Sequence, residues 1–227
     1  MSGSARRDGI VVLNAGSSSL KFALYEVSSD AEPSLRENGS VALGEEYDAF
    51  VAGLPEFGSR HALAVVAAGH RVVHGGQHYT APVLIDDRVL ADLEKLVPLA
   101  RLHQPHALEL IRRLRAAQPS LPQVACFDTA FHASNTETAR RFGIPRALEE
   151  VGLRRYGFHG LSYEFISRDP RAARGRTVVA HLGNGASLCA LVDGRSVATT
   201  MSLSVLDGLV MGTRAGSLDP ALVLYLL

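Results

Sequence analysis

Two stretches of this chain follow one design, and that duplication constrains its fold more than any other feature. Val12 to Phe22 reads Val-Leu-Asn-Ala-Gly-Ser-Ser-Ser-Leu-Lys-Phe, and Val178 to Leu191 reads Val-Val-Ala-His-Leu-Gly-Asn-Gly-Ala-Ser-Leu-Cys-Ala-Leu. Each is an apolar, β-branched run, a turn of glycine, asparagine or serine, and a second alternating run, which predicts strand, tight turn and strand. Superposing Ser19 on Ser187 also brings Val11 onto Val179 and Leu20 onto Leu188 at one constant offset. A repeat at so long a spacing predicts two related domains sharing one ligand, not a solenoid. A single Gly/Ser turn is most often only a turn. Two of them, with Lys21 beside the first, predict backbone N–H groups and hydroxyls gathered around an anion, with phosphate as the candidate ligand. Neither a Walker-type loop nor a Gly-x-Gly-x-x-Gly turn opening a helix is present.

Composition limits the partners. The 227 residues are 47% hydrophobic, and 23 Lys and Arg balance 23 Asp and Glu, so no net field recruits nucleic acid or an anionic membrane. An anion site must therefore be local. Cys126 and Cys189 lie in apolar runs without metal spacing and read as reduced core residues of a cytosolic protein. No stretch approaches a signal peptide or a membrane span.

Strands alternate with helices, predicting an α/β fold of mixed sheet with a boundary near residue 150. Ser28 to Asp48 reads as a loop or edge hairpin, Leu54 to Ala68 as helical, and Arg71 to Val73 as a strand. A helix is expected from Pro105 to near Pro119 and a buried strand over Val124 to Phe127, with helical segments at Ser134 to Phe142 and Arg146 to Leu153. His70, His74 and His78 are four apart, but Val72-Val73 and Gly75-Gly76 make that segment strand and turn, where such spacing does not converge on a metal. Asp219 and Pro220 read as the start of a helix that runs through Leu227 without a cap. That uncapped apolar end predicts a fragment, inactive and self-associating alone, with its apolar helix face bare.

Asn14, His70-Arg71, Phe127-Asp128, Phe158-His159-Gly160 and Gly212-Thr213-Arg214 place polar or charged groups at the ends of apolar or glycine-flanked segments, which predicts a polar crevice at strand ends. Together they suit phosphoryl transfer, which needs charge neutralisation and in-line positioning more than covalent chemistry.

Six motifs in order carry a resemblance. Val12 to Phe22, His70-Arg-Val-Val-His-Gly-Gly76, Phe127-Asp-Thr-Ala-Phe-His132, Arg155-Tyr-Gly-Phe-His-Gly160, His181-Leu-Gly-Asn-Gly-Ala-Ser187 and Gly208-Leu-Val-Met-Gly-Thr-Arg214 resemble the successive signatures of the acetate kinase family. The resemblance implies duplicated ribonuclease-H-like, actin-like ATPase domains with mixed β-sheets flanked by helices, residues 1–150 forming the first and 151–227 an incomplete second. It implies reversible transfer of the ATP γ-phosphoryl group to acetate, with Mg²⁺ or Mn²⁺, in a cytoplasmic enzyme that is a homodimer at full length. Asn14, Ser17, Ser19 and Lys21 would contact phosphate and the metal, with Asn14 the metal contact. His181, Leu182, Gly183, Asn184 and Gly185 would form the second phosphate hairpin. Arg71 and Arg214 would hold the carboxylate and the migrating group, and His159 would donate to that group. An ordinary carboxyl group is already ionised at neutral pH, so Asp128 is read as orienting Arg71 or a metal-bound water. Val73, Leu102 and Phe158 would cup the methyl group. The family's usual Thr and His after Phe-His-Gly are Leu161 and Tyr163 here, and its usual Gly and Pro before the last motif are Ser202 and Val205. The second pair bears on acyl-chain preference, so a propionate or butyrate kinase is the alternative within the class. A nucleotide-binding module of the same fold is the alternative outside it.

Overall fold

The computed structural model describes residues 7–16, 18–42 and 44–227. They divide into two compact units. One holds the described residues up to Val72 together with Pro82–Cys126, and the other holds Val73–Ala81 together with Phe127–Leu227. Phe127 to Glu150, grouped by the sequence reading with the first domain, thus packs within the second unit.

In the first unit β1 (Arg7–Ala15) and β2 (Ser19–Ser28) form the antiparallel hairpin expected from the first repeat. β3 (Ala31–Ala42) adds a third, largely exposed strand at the edge where a loop or hairpin was expected. β4 (Leu63–Val72) pairs in parallel with β1, and the short β5 (Val83–Leu84) and β6 (Gln123–Phe127) complete the order β3-β2-β1-β4-β6-β5. Period-two alternation fixes the buried face: Val11 and Leu13 are buried while Val12 between them is exposed. That face packs on α1 (Glu45–Ala52), α2 (Leu54–Arg60) and α4 (Gln104–Ala117) through Tyr47, Val51, Leu54, Phe57, Leu110 and Leu114. α3 (Asp87–Lys95) is capped by the Asp86 carboxylate, which accepts from the Val89 N–H at 2.7 Å.

Leu54 to Ala68 is not one helix, as the sequence predicts, but a short helix and a strand. α2 ends at Arg60, Ala62 turns in the left-handed region at φ 58°, and β4 already begins at Leu63. The alanines of Leu63-Ala-Val-Val-Ala-Ala-Gly suggest helix by propensity, but parallel pairing with β1 overrides it. Gly58 allows α2 to lie against this strand, because a Cβ there would sit 2.6 Å from Val65 Cγ2.

In the second unit β7 (Arg176–Leu182), β8 (Ala186–Val192) and β9 (Arg195–Thr199) form an antiparallel meander. Asp193 and Gly194, both at positive φ, make the two-residue turn between β8 and β9. Tyr163, Ala172, Cys189 and Leu191 form a core beneath the meander, packed by Phe131 and Val179. The helical stretches expected after Ser134 shrink to α5 (Glu137–Arg140) and α6 (Arg146–Glu150). α7 (Gly160–Ser167) follows the Phe-His-Gly motif, and α8 (Pro220–Leu226) starts as expected, with the Asp219 carboxylate accepting from the Ala221 N–H at 2.8 Å. Among the described residues no helix is long and apolar enough to cross a membrane.

Three buried histidines make stability depend on pH. Burial pushes the pKa of His70 down to about 4, opposed by the neighbouring Gln123 amide, and burial pushes His74 to about 4 as well. Burial also lowers His132. Below the ordinary histidine pKa of about 6.5 the unfolded chain therefore binds protons that the folded chain excludes, so stability is full above that pH and falls as pH drops toward 4. For His70 and His74 the expected loss between pH 7.5 and pH 5 is about 2 kcal/mol each. Urea denaturation at the two pH values measures it, and unchanged stability would contradict the neutral burial of these rings.

Candidate active site

The first hairpin carries a polar row. Its turn is closed by the Gly16 N–H donating to the Ser19 carbonyl at 2.9 Å. Asn14 and Lys21 are cross-strand partners, and so lie on one face. On the other side, Leu13 is in register with His70 of β4, which brings Arg71 beside Asn14, and Arg71 Nη1 donates to Asn14 Oδ1 at 3.1 Å. Lys21, Asn14 and Arg71 thus form a row across three strands, two cations flanking an amide. Lys21 is exposed, whereas Asn14, Ser19 and Arg71 are half-buried. The sequence reading put Lys21 beside the turn, and strand order adds Arg71. Ser17 lies outside the described residues. Leu102 stands in the turn before α4 and is 69% exposed.

The donors of this row suit an oxyanion better than a metal. Asn14 Oδ1 already accepts from a guanidinium, so a cation bonded to it would compete with Arg71 and feel its charge and that of Lys21. Among the described residues no cluster of three His, Cys, Asp or Glu side chains offers a metal cage. The arrangement fits a metal ion carried by phosphate oxygens beside Asn14.

The second hairpin brings together most of the remaining candidates. His181 pairs with Ser187 and Leu182 with Ala186, leaving Gly183-Asn184-Gly185 as the turn. His159 precedes α7 in the left-handed region at φ 61°, a conformation of real cost for a non-glycine residue and a mark of sites where geometry is dictated by use. Its Nδ1 lies 2.8 Å from Ser187 Oγ, which lies 2.5 Å from the Tyr163 hydroxyl. Its ring stacks on His181, centroids 4.0 Å apart, and His181 Nδ1 is 3.0 Å from Ser162 Oγ. Gly185 marks the convergence: a Cβ there would sit 3.2 Å from His159 Nε2 and 3.3 Å from Arg214 Nη1. Arg214 is aimed by its own bond from Nη1 to the Val205 carbonyl at 3.1 Å and by the tight Met211–Arg214 turn. The turn amides, an imidazole and a guanidinium are then within one small volume, a set suited to a group with charge spread over several oxygens.

Asp128, Val73 and Phe158 are buried in the same unit. The Asp128 carbonyl accepts from the Gly160 N–H at 2.8 Å, fixing Asp128 to the start of α7. His132 has no role that its motif alone assigns. In the structure its Nε2 donates to the Phe158 carbonyl at 2.9 Å, and its Nδ1 lies 2.8 Å from Ser196 Oγ, which donates to Asn135. Because Phe158 directly precedes His159, this buried network positions the strained residue. Tyr163 and Ser187 were also missed as supports. Tyr163 stands where the resemblance expects a histidine, and its hydroxyl reaches the Ser187 side chain that holds His159 Nδ1.

Comparison with known proteins first defines the class. A propionate kinase structure from Francisella tularensis superposes with a TM-score of 0.82 at 37% identity, covering 96% of this chain and 64% of that one. The acetate kinase of Entamoeba histolytica gives 0.79 at 29%, over 96% and 61%. The fold is mixed α/β of the actin-like ATPase type, as expected. The chain belongs to the acetokinase family, whose sequence model matches residues 45–227. An acetate kinase of Rhodopseudomonas palustris is 48% identical over 97% of this chain and 64% of its own length, so the chain spans just under two thirds of that relative. One from Streptomyces coelicolor is 40% identical, over 96% and 62%.

Proposed function

We propose that the protein is an acetate kinase, transferring the γ-phosphoryl group of ATP to acetate to give acetyl phosphate and ADP, and running the reverse reaction as well. The observation that carries this reading is the convergence of His159 Nε2 and Arg214 Nη1 on the Gly185 turn, in a chain of the acetokinase family. In this account the acetate carboxylate oxygen attacks phosphorus in line as the bond to the ADP oxygen breaks, so no proton need be taken from the nucleophile. Arg71 orients the carboxylate, and Arg214 and His159 neutralise the equatorial oxygens of the planar phosphoryl group. The two hairpins, Asn14 to Lys21 and His181 to Gly185, hold the nucleotide phosphates through turn amides and side chains. Asp128 orients Arg71 or a metal-bound water, and Val73, Leu102 and Phe158 receive the methyl group. Mg²⁺ or Mn²⁺ offsets phosphate charge when bound. The metal, a cytoplasmic location and a homodimeric assembly rest on the family resemblance.

The test uses the whole product of the gene. With Mg-ATP, hydroxylamine and acetate it should form acetyl hydroxamate, and absence of product with every short carboxylate would overturn the reading. Specificity constants for acetate, propionate and butyrate decide the acyl preference. Acetate is expected to lead, with each added methylene costing about 1–3 kcal/mol. Propionate preference is the second reading, favoured by Val205 in place of the usual Pro and by the likeness to the Francisella propionate kinase.

A further inference from the structure

A second cationic site lies in the second unit, in a cavity of about 30 Å³ whose lining includes none of the residues that would bind substrate or nucleotide. Arg140, Arg154 and Arg155 border it, with Gln77, Thr80 and Tyr156. Buried guanidinium groups ordinarily pair with carboxylates. Here Arg140 Nε, Arg154 Nε and one terminal nitrogen of Arg154 are shut off from solvent and meet no hydrogen-bond partner. The nearby carboxylates are committed elsewhere: Glu137 and Glu149 both bind Arg141. Among the described residues neither Arg140 nor Arg154 forms an ion pair. The two also oppose each other, since burial and then the charge of Arg154 lower the pKa of Arg140, against smaller pulls from Glu137 and Glu149. Arg155 has a separate anchor, its guanidinium lying 4.5 Å over the Phe142 ring.

Two like charges held together are costly, and an anion bordering both guanidinium groups would offset that cost. We propose that this cavity binds a small dianionic oxyanion of the phosphate type between Arg140 and Arg154. Guanidinium forks match such an ion in a bidentate manner, and Thr80 and Gln77 offer further polar contacts. The place has a consequence for the candidate active site, because His132 also lines the cavity and holds the Phe158 carbonyl. An anion bound there sits against the network that positions His159.

The experiment is thermal unfolding and calorimetric titration of the whole gene product with inorganic phosphate, against chloride at matched ionic strength. Wild type should show saturable binding and a raised Tm. Arg154→Met and, separately, Arg140→Met should weaken binding at least about tenfold, the scale of one lost charge-assisted contact, and in chloride each should unfold no earlier than wild type. Lys21→Ala, in the first hairpin, should leave the phosphate response in place. Loss of the response in Lys21→Ala with retention in both arginine variants would put the ion at the hairpin, overturning this site while leaving the kinase reading intact. No response to phosphate in wild type would overturn it as well.

Discussion

Arg214→Ala in the whole gene product is expected to lower kcat by about 100- to 1000-fold while changing the KM for ATP little, the pattern of an interaction made in the transition state. The guanidinium is aimed at the Gly185 turn by the Val205 carbonyl, beside His159 Nε2. Charge on a phosphoryl group in flight is greatest on its equatorial oxygens, so a donor fixed there stabilises the transition state more than bound ATP. Arg214→Lys should recover only part of the loss, because an ammonium lacks the planar fork. Arg71→Ala should follow the same pattern, with a larger effect on acetate KM. Steady-state kinetics with both substrates varied decides the matter. Unchanged kcat with a large rise in ATP KM would move Arg214 to the nucleotide.

Gly160→Ala is expected to destabilise the second unit by about 3 kcal/mol or more, a severe case of overpacking. A Cβ at this position would lie 2.2 Å from the Asp128 carbonyl oxygen and 2.9 Å from Phe131 Cβ, and the Gly160 N–H donates to that same carbonyl. Neither neighbour is the tip of a flexible side chain. Relief requires α7 to move away from Asp128, carrying His159 and its bond to Ser187 with it. Gly143→Ala is the control: a Cβ there meets nothing within 4 Å, and the change should stay within about 0.5 kcal/mol. Chemical denaturation of the two variants beside wild type measures the difference. Equal stabilities would show that the approach of Gly160 to Asp128 is not tight in solution.

Both hairpins were legible in the sequence because strand and turn signals act over a few residues: β-branched runs flank glycine and small polar residues, and no tertiary contact is needed to break the strand there. The starts of α4 and α8 were equally local, written in Pro105 and in Asp219 with Pro220. β4 was misread because Ala64, Ala67 and Ala68 favour helix in isolation and become strand only through parallel pairing with β1, a partner more than fifty residues away. Short helices such as α5 failed for a related reason, since four residues cannot show a helical period. Residue types pointed to phosphoryl transfer through Asn14, Lys21, Arg71, His159 and Arg214, but not to which of them meet.

The sequence by itself determined the two strand–turn–strand units, the α/β class, the family and the identity of the chemical groups, since composition and short-range pattern specify these. Tertiary structure alone decided that Arg71 binds Asn14, that Ser187 and Tyr163 hold His159, that His132 braces Phe158, and that Arg140 and Arg154 share one cavity. Those relations depend on strand register and on the packing of segments far apart in the chain, where a shift of one residue turns a side chain to the opposite face.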